Sequence, residues 1–138
     1  MHEIIQFIIE NWLLVLMLFM VIFLIFMEES QANETARGGV PSDEVSQLLH
    51  KGYKIIDLRS EKDFDKGHIP ASKNMTTDKL DKLNFRSIDT SKWILCCADG
   101  EASSKCALSL KEEKSVDVKY LSGGIKSWTE TGFTLTKK

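Results

Sequence analysis

An uninterrupted apolar run near the amino terminus constrains this chain more than any other feature. Sixteen consecutive apolar residues extend from Trp12 to Met27. A helix rises 1.5 Å per residue, so this run is about 24 Å long and needs apolar residues upstream of Glu10 to cross about 30 Å of hydrocarbon. The sequence therefore predicts one transmembrane helix over residues 4–27, in contact with membrane lipid.

A cleaved signal peptide is the alternative interpretation of this run. Signal peptides begin with positive charge and end in small residues that prepare cleavage. Here the first basic residue is Arg37, and Glu28 and Glu29 follow the apolar run directly. We therefore expect an uncleaved anchor. The orientation of this anchor is weakly specified, because Arg37 is the single flanking cation.

The segment after the anchor is polar and ends in a glycine pair. It lacks any periodic apolar pattern, which is typical of a flexible linker and predicts one over residues 28–39, followed by a soluble domain over residues 40–138. After Met27 the chain carries eighteen basic and eighteen acidic residues and no basic run. This balance argues against a nucleic-acid partner.

The three cysteines indicate free thiols. Cys96 and Cys97 are adjacent and Cys106 is the only other cysteine, so a disulfide framework is not expected and a reducing compartment is favoured. The spacing lacks a C-x-x-C pair, and the three histidines are scattered. We therefore expect neither a metal nor another cofactor.

Short apolar runs alternate with helical patterns over the remaining residues. Strands are predicted at 53–58, 71–75, 93–97 and 116–121, and helices begin after Ser42, after Ser60, at Thr76 or Thr77, at Ser103 and after Gly124. Ser42 and Ser60 are the predicted N-caps, the latter in a capping box with Asp63. Strands separated by helices predict an α/β fold with a mainly parallel sheet of about five short strands, covered on both faces.

Residues 94–104, ILCCADGEASS, combine a strand end, a polar turn and a helix start. Ligand sites in parallel sheets lie beyond the carboxyl ends of the strands, where Cys97 is expected. Backbone N–H groups at a helix N-terminus stabilise a thiolate, and Gly100 permits unusual backbone angles in the loop. The pattern favours a nucleophilic role for Cys97.

Four motifs in order resemble the signatures of the rhodanese family. They are a D-x-R strand end and a G-H-I-P-A turn in IDLRSEKDFDKGHIPASKNM, a cysteine loop in ILCCADGEASSKCALSL, and L-x-G-G-I-x-x-W in VKYLSGGIKSW. The match runs from about Val40 to Phe133. The resemblance implies transfer of sulfane sulfur through a persulfide on Cys97. The loop that cradles this anion would comprise Ala98, Asp99, Gly100, Glu101, Ala102 and Ser103.

The single span, the single domain and the opening residues EIIQF also resemble small bacterial membrane proteins of the YibN type. That likeness implies a single-pass protein of the inner membrane with its domain in the cytoplasm, in agreement with free thiols.

The loop departs from the family pattern in its charge. Rhodaneses usually carry a cation there, often arginine five residues after the cysteine, and here that position is Ala102. Asp99 and Glu101 oppose a thiolate and an anionic substrate instead. We therefore expect thiosulfate to bind poorly and a protein-borne persulfide donor to be favoured, with Lys105 as a candidate replacement cation. A rhodanese-like phosphatase, which needs arginine six residues after the cysteine, is disfavoured by Ser103.

Other prominent residues have structural interpretations. Asp57 and Arg59 are expected to fix strand ends, and His68 to be packed and hydrogen-bonded within its turn. Cys96 and Cys106 are expected in the core. Three hypotheses follow: a sulfurtransferase with a protein donor or acceptor, a binding module that meets a membrane-protein partner, and a redox pair formed by Cys97 and Cys106.

Overall fold

A computed structural model of the protein describes residues 1–137, apart from the side chains at positions 30 and 31. The chain forms two compact units, Met1–Asn33 and the residues from Glu34 onward.

The amino-terminal unit is helical. Helix α1 spans His2–Glu10 and helix α2 spans Trp12–Ala36, so the single helix predicted for residues 4–27 is divided at Asn11. The backbone N–H and the side-chain amide of Asn11 both donate to Phe7 O, at 3.0 Å each, and this double contact ends α1. The uninterrupted part of the predicted span lies within α2.

Helix α2 has the length and composition of a membrane span. Its mean hydropathy reaches 2.4, and none of the residues in that window is buried. A signal sequence near the N-terminus has the same character, so the helix is a candidate span. It also continues to Ala36, and most of the segment predicted as a flexible linker is therefore helical. Glutamate, glutamine and alanine are good helix formers, and no proline or glycine interrupts them before Gly38.

The second unit contains a five-stranded sheet in which every pair is parallel. The order β1-β5-β4-β2-β3 confirms the predicted α/β fold. The strands are β1 Gly39–Val40, β2 Lys54–Asp57, β3 Lys73–Asn74, β4 Trp93–Cys96 and β5 Lys119–Leu121. Strand β1 was not predicted because two residues are too few to show an alternating pattern.

Helices cover both faces of this sheet. They are α3 Ser42–His50, α4 Glu61–Lys66, α5 Thr77–Asp81, α6 Glu101–Lys114 and α7 Gly124–Glu130, with a 3-10 turn at Phe85–Ser87. One core cluster joins α3 and α7 to the sheet, and includes Val45, Ile94 and Trp128. The second joins α5 and α6 to the other face, and includes Leu80, Leu95 and Leu110. Burial on both faces explains why the strands are almost continuously apolar.

The two predicted N-caps have different outcomes. Asp63 N–H donates to Ser60 Oγ at 3.2 Å, which confirms the cap at Ser60. The second bond of the predicted capping box differs: Asp63 Oδ2 accepts the Ser60 hydroxyl at 2.9 Å, and not the Ser60 backbone N–H. The cap predicted at Ser42 is wrong. Ser42 is the first helical residue of α3, is 2% exposed, and has its hydroxyl 3.1 Å from Ser127 Oγ on α7. Pro41 occupies the N-cap position, and the Ser42 hydroxyl is hydrogen-bonded to Ser127 across the core instead.

Candidate active site

Cys97 lies directly after β4, at the carboxyl edge of the sheet. Its side chain is only 5% exposed. Helix α6 begins at Glu101, two residues earlier than predicted, because Gly100 takes a left-handed conformation with φ of 88° and caps it. The loop between strand and helix is therefore short, and it folds around the sulfur.

Four polar contacts surround Cys97 Sγ. Gly100 N–H donates to it at 3.1 Å and Ser103 N–H at 3.4 Å. Ser103 Oγ, at 3.5 Å, and Asp99 Oδ1, at 3.7 Å, can each accept the thiol proton. Ser103 itself is fully buried. The sulfur thus has two main-chain donors at a helix N-terminus and a carboxylate on another side.

The start of α7 supports the cysteine loop from outside. Ile125 N–H donates to Cys97 O at 2.9 Å, and Lys126 N–H donates to Ala98 O at 3.0 Å. This approach requires Gly124, since a Cβ there would overlap Cys97 O and lie 2.7 Å from Gly100 N. The sequence identified Gly124 only as part of a turn; its place in L-x-G-G-I was the signal that could have indicated this contact.

The two carboxylates of the loop have different roles. Asp99 Oδ1 accepts Glu101 N–H at 3.0 Å, and this backbone hydrogen bond, aided by the Cys97 thiol and the charge of Lys105, lowers the pKa of Asp99 below its ordinary value. Glu101 Oε1 instead lies 2.7 Å from Lys105 Nζ, and both side chains are exposed. Lys105 therefore pairs with Glu101, and the contacts described for Cys97 Sγ include no cation.

Asp57 and Arg59 form an ion pair at the carboxyl end of β2. Asp57 is fully buried, and its carboxylate accepts both Arg59 Nε and Arg59 Nη2, the latter at 2.7 Å. Arg59 Nη2 also donates to Gly67 O at 2.7 Å. Burial lowers the pKa of Arg59, but the hydrogen bond and the charge of Asp57 outweigh this effect. The pKa of Arg59 is therefore raised above its ordinary value. This geometry agrees with the expected role of fixing strand ends.

A cavity opens beside this ion pair. Its volume is about 510 Å³, and Ala98 borders it together with Arg59, Lys66, Gly67 and Leu135. Ala98 is the residue through which the cysteine loop borders this open space.

His68 is packed rather than directed at the sulfur. Its Nδ1 is 2.8 Å from Phe64 O, and its ring stacks on Phe64 with 3.8 Å between centroids. Its backbone exchanges two hydrogen bonds with Thr136, a pairing the sequence did not indicate because Thr136 is far along the chain.

The other two thiols lie in apolar surroundings. Cys96 is fully buried in the cluster between α3, α7 and the sheet, and burial raises its pKa well above the ordinary value. Cys106 packs against the opposite cluster, where burial, with the charge of Asp81, also raises its pKa. The raised pKa disfavours the Cys106 thiolate that a redox pair with Cys97 would need. The described residues contain no group of three or more metal-ligating side chains.

Comparison with known proteins identifies the fold of the second unit and its relatives. Similar solved structures include a rhodanese-like domain protein from Staphylococcus aureus, which is 26% identical with a TM-score of 0.59. The match covers 72% of this chain and 97% of that protein. A rhodanese-related protein from Thermoplasma volcanium is 22% identical, with a TM-score of 0.63. The match covers 72% of this chain and 98% of that protein.

Curated relatives match over similar lengths. The thiosulfate sulfurtransferase GlpE of Shewanella oneidensis is 29% identical over 90 residues, which are 62% of this chain and 89% of the relative. The uncharacterized protein YqhL of Bacillus subtilis is 26% identical over 107 residues, 77% and 84% of the two chains. The model of the Rhodanese-like domain matches residues 42–131, and so the chain belongs to the rhodanese-like domain family.

Proposed function

We propose that this protein is a membrane-anchored sulfurtransferase that carries sulfane sulfur as a persulfide on Cys97. One observation carries the proposal: the N–H groups of Gly100 and Ser103 converge on Cys97 Sγ at 3.1 and 3.4 Å. Main-chain donors at a helix N-terminus stabilise an anion, which is the form that both a thiolate and a persulfide take during transfer. The relatives named as thiosulfate sulfurtransferases support the same reaction class.

The reaction needs no oxidant or reductant. The Cys97 thiolate attacks the sulfane sulfur of the donor, a new S–S bond forms at Sγ, and the donor's S–S bond breaks with its electron pair on the departing group. An acceptor thiolate then attacks the outer sulfur of the persulfide, and the electron pair of the broken bond returns to Cys97 Sγ. The two N–H groups hold Sγ in place through both steps.

The charge of the loop favours a protein-borne persulfide donor over thiosulfate. Asp99 Oδ1 lies 3.7 Å from Sγ, and Ala102 stands where the family often has arginine. A dianion that approaches Sγ meets this carboxylate, and no cation among the described residues contacts Sγ. A persulfide on a partner protein brings less negative charge to the same position.

The anchor would place this chemistry at a membrane. Helix α2 is long and apolar enough to cross one. We assign it as a single span of the bacterial inner membrane, of the YibN type, with the domain in the cytoplasm, where the three free thiols stay reduced. A sulfur donor, a sulfur acceptor or another partner could then be a membrane protein.

Intact mass measures the proposed intermediate directly. The full chain in detergent micelles is incubated with cysteine persulfide, freed of excess reagent and weighed. We expect a gain of one sulfur atom that is lost in Cys97→Ser and retained in Cys106→Ser. No gain in the unaltered chain, or an equal gain in Cys97→Ser, would contradict the proposal.

A binding module is the second candidate. The observation in its favour is that, within the part of the chain that the structure describes, a carboxylate contacts the sulfur and no cation does. This function would be indicated by the absence of persulfide together with capture of a membrane-protein partner by both the unaltered chain and Cys97→Ser.

A further inference from the structure

Asp99 is the charged side chain of the cysteine loop that stays beside the sulfur. Its Oδ1 is 3.7 Å from Cys97 Sγ and is held there by Glu101 N–H at 3.0 Å. Glu101, the other loop carboxylate, is paired with Lys105. Although both carboxylates are in the loop sequence, only Asp99 presents its charge to Sγ.

Neighbouring cations do not neutralise Asp99 by direct contact in the described residues. The guanidinium of Arg59 is bound to Asp57 and Gly67 O, and Lys105 Nζ is bound to Glu101. Lys126 contacts the loop through its backbone N–H, which donates to Ala98 O. Asp99 is exposed, so a molecule that approaches Sγ from solvent meets its negative charge.

We infer that Asp99 sets the charge preference of the site, which favours acceptor thiols with a cationic group close to their sulfur over anionic thiols. This inference rests on the proposed function. The outer sulfur of a Cys97 persulfide lies about 2 Å beyond Sγ. An acceptor that attacks it must therefore bring its own neighbouring substituents within a few ångströms of the Asp99 carboxylate. An ammonium group is attracted there and a carboxylate is repelled.

The transfer step is balanced. The acceptor thiolate forms a bond to the outer sulfur, the bond between that sulfur and Sγ breaks, and Sγ receives the electron pair. Overall, the acceptor thiol becomes a persulfide and Cys97 returns to a thiol, with no net change in oxidation state or proton count. Asp99 takes no part in bond making; it acts as a specificity residue through its charge.

Three small thiols in which the same two methylene groups separate the sulfur from the polar group test the inference. Cysteamine is cationic, 2-mercaptoethanol is neutral and 3-mercaptopropionate is anionic. The full chain in detergent micelles is first loaded with cysteine persulfide and freed of excess reagent. Loss of the added sulfur from Cys97 is then followed by intact mass after each thiol is added. The measured quantity is the ratio of the rate with cysteamine to the rate with 3-mercaptopropionate. Differences in the intrinsic reactivity of the thiols cancel when this ratio is compared between variants.

Asp99→Asn is the informative variant because asparagine can still accept Glu101 N–H while it carries no charge. We expect the ratio of the two rates to fall about threefold or more in Asp99→Asn, because the loss of one exposed charge interaction has an effect of about this size. Glu101→Gln is the matched control, and we expect its ratio to stay within about twofold of the unaltered chain. A second measurement needs no variant: raising the salt from about 0.02 M to 1 M should reduce the ratio of the unaltered chain, because salt screens exposed charges.

The outcomes separate the two proposals. If the unaltered chain acquires no sulfur, both the proposed function and this inference are overturned. If it acquires sulfur but the ratio is the same in Asp99→Asn, or falls equally in Glu101→Gln, the sulfurtransferase stands and the role of Asp99 is overturned. A ratio that does not change with salt would also overturn the role of Asp99.

Discussion

The ion pair of Asp57 and Arg59 shows how one side chain supports the site without contacting the sulfur. Asp57 ends β2 with its side chain fully buried, and the Arg59 side chain is 14% exposed. The guanidinium joins this carboxylate to Gly67 O, and Asn74 Nδ2 donates to Arg59 O at 2.8 Å. Three neighbouring segments at the carboxyl edge of the sheet are thus held by one residue.

Removal of Arg59 should therefore destabilise the domain. In Arg59→Met the buried Asp57 carboxylate keeps the backbone N–H of residue 59 but loses its charged partner, and we expect a loss of about 3 kcal/mol in the free energy of unfolding. Denaturation of the full chain in detergent micelles measures it. The control is Lys66→Met, because Lys66 pairs with Asp63 at 3.5 Å on the exposed surface and should contribute less than about 1 kcal/mol. Equal losses in the two variants would show that the pair of Asp57 and Arg59 is not a supporting contact.

At the scale of elements, the site depends on two helix N-termini that meet. The first turn of α6 directs the N–H groups of Gly100 and Ser103 toward Sγ. The first turn of α7 binds the carbonyls of Cys97 and Ala98. The loop is therefore fixed from both sides, and these backbone hydrogen bonds hold the two donors in place.

Gly124 should be the least replaceable residue of that contact. It has φ of 59°, and a Cβ there would overlap Cys97 O. We expect Gly124→Ala to lower the free energy of unfolding by about 3 kcal/mol or more and to reduce persulfide formation on Cys97.

Gly132→Ala is the control for Gly124→Ala, because it introduces the backbone strain of a positive φ without a steric overlap. Gly132 also has a positive φ, 89°, but nothing lies within 4 Å of its Cβ position. Its replacement should cost only about 1–2 kcal/mol, from the backbone angle alone, and should leave persulfide formation unchanged. Equal effects at both positions would contradict the proposed support of the loop by α7.

At the scale of the whole molecule, the chain combines a helical amino-terminal unit with a rhodanese-like domain. If α2 is an anchor, the protein purified from membranes should have the mass of the full sequence. Intact mass spectrometry measures this, and a protein shortened by its apolar segment would show that the segment is a signal peptide.

Orientation can be measured in the same cells. A fluorescent protein fused after Lys138 should be fluorescent, and alkaline phosphatase fused at the same place should be inactive, as for a carboxyl terminus in the cytoplasm. The reverse pattern would contradict the proposed location.

Most of the fold was predictable because its signals are local. The strand at Trp93, the cap at Ser60 and the helix that contains Leu110 follow from apolar runs and capping residues close together in sequence. The position of Cys97 at a strand end followed from the same pattern. Strand β1, the pairing of His68 with Thr136 and the contact of Ser42 with Ser127 were not predictable, since each joins residues far apart in the chain.

The sequence by itself determined the class of fold, the apolar helix and the cysteine that directly follows the central strand, because periodicity and composition depend only on near neighbours. Only the tertiary structure decided which loop carboxylate contacts the sulfur. Asp99 and Glu101 are two residues apart, and the turn at Gly100 directs the first to Sγ and leaves the second with Lys105. The direction of a side chain in this short loop depends on the backbone angles of the loop and on the packing of α7 against it. No local sequence pattern indicates either of these.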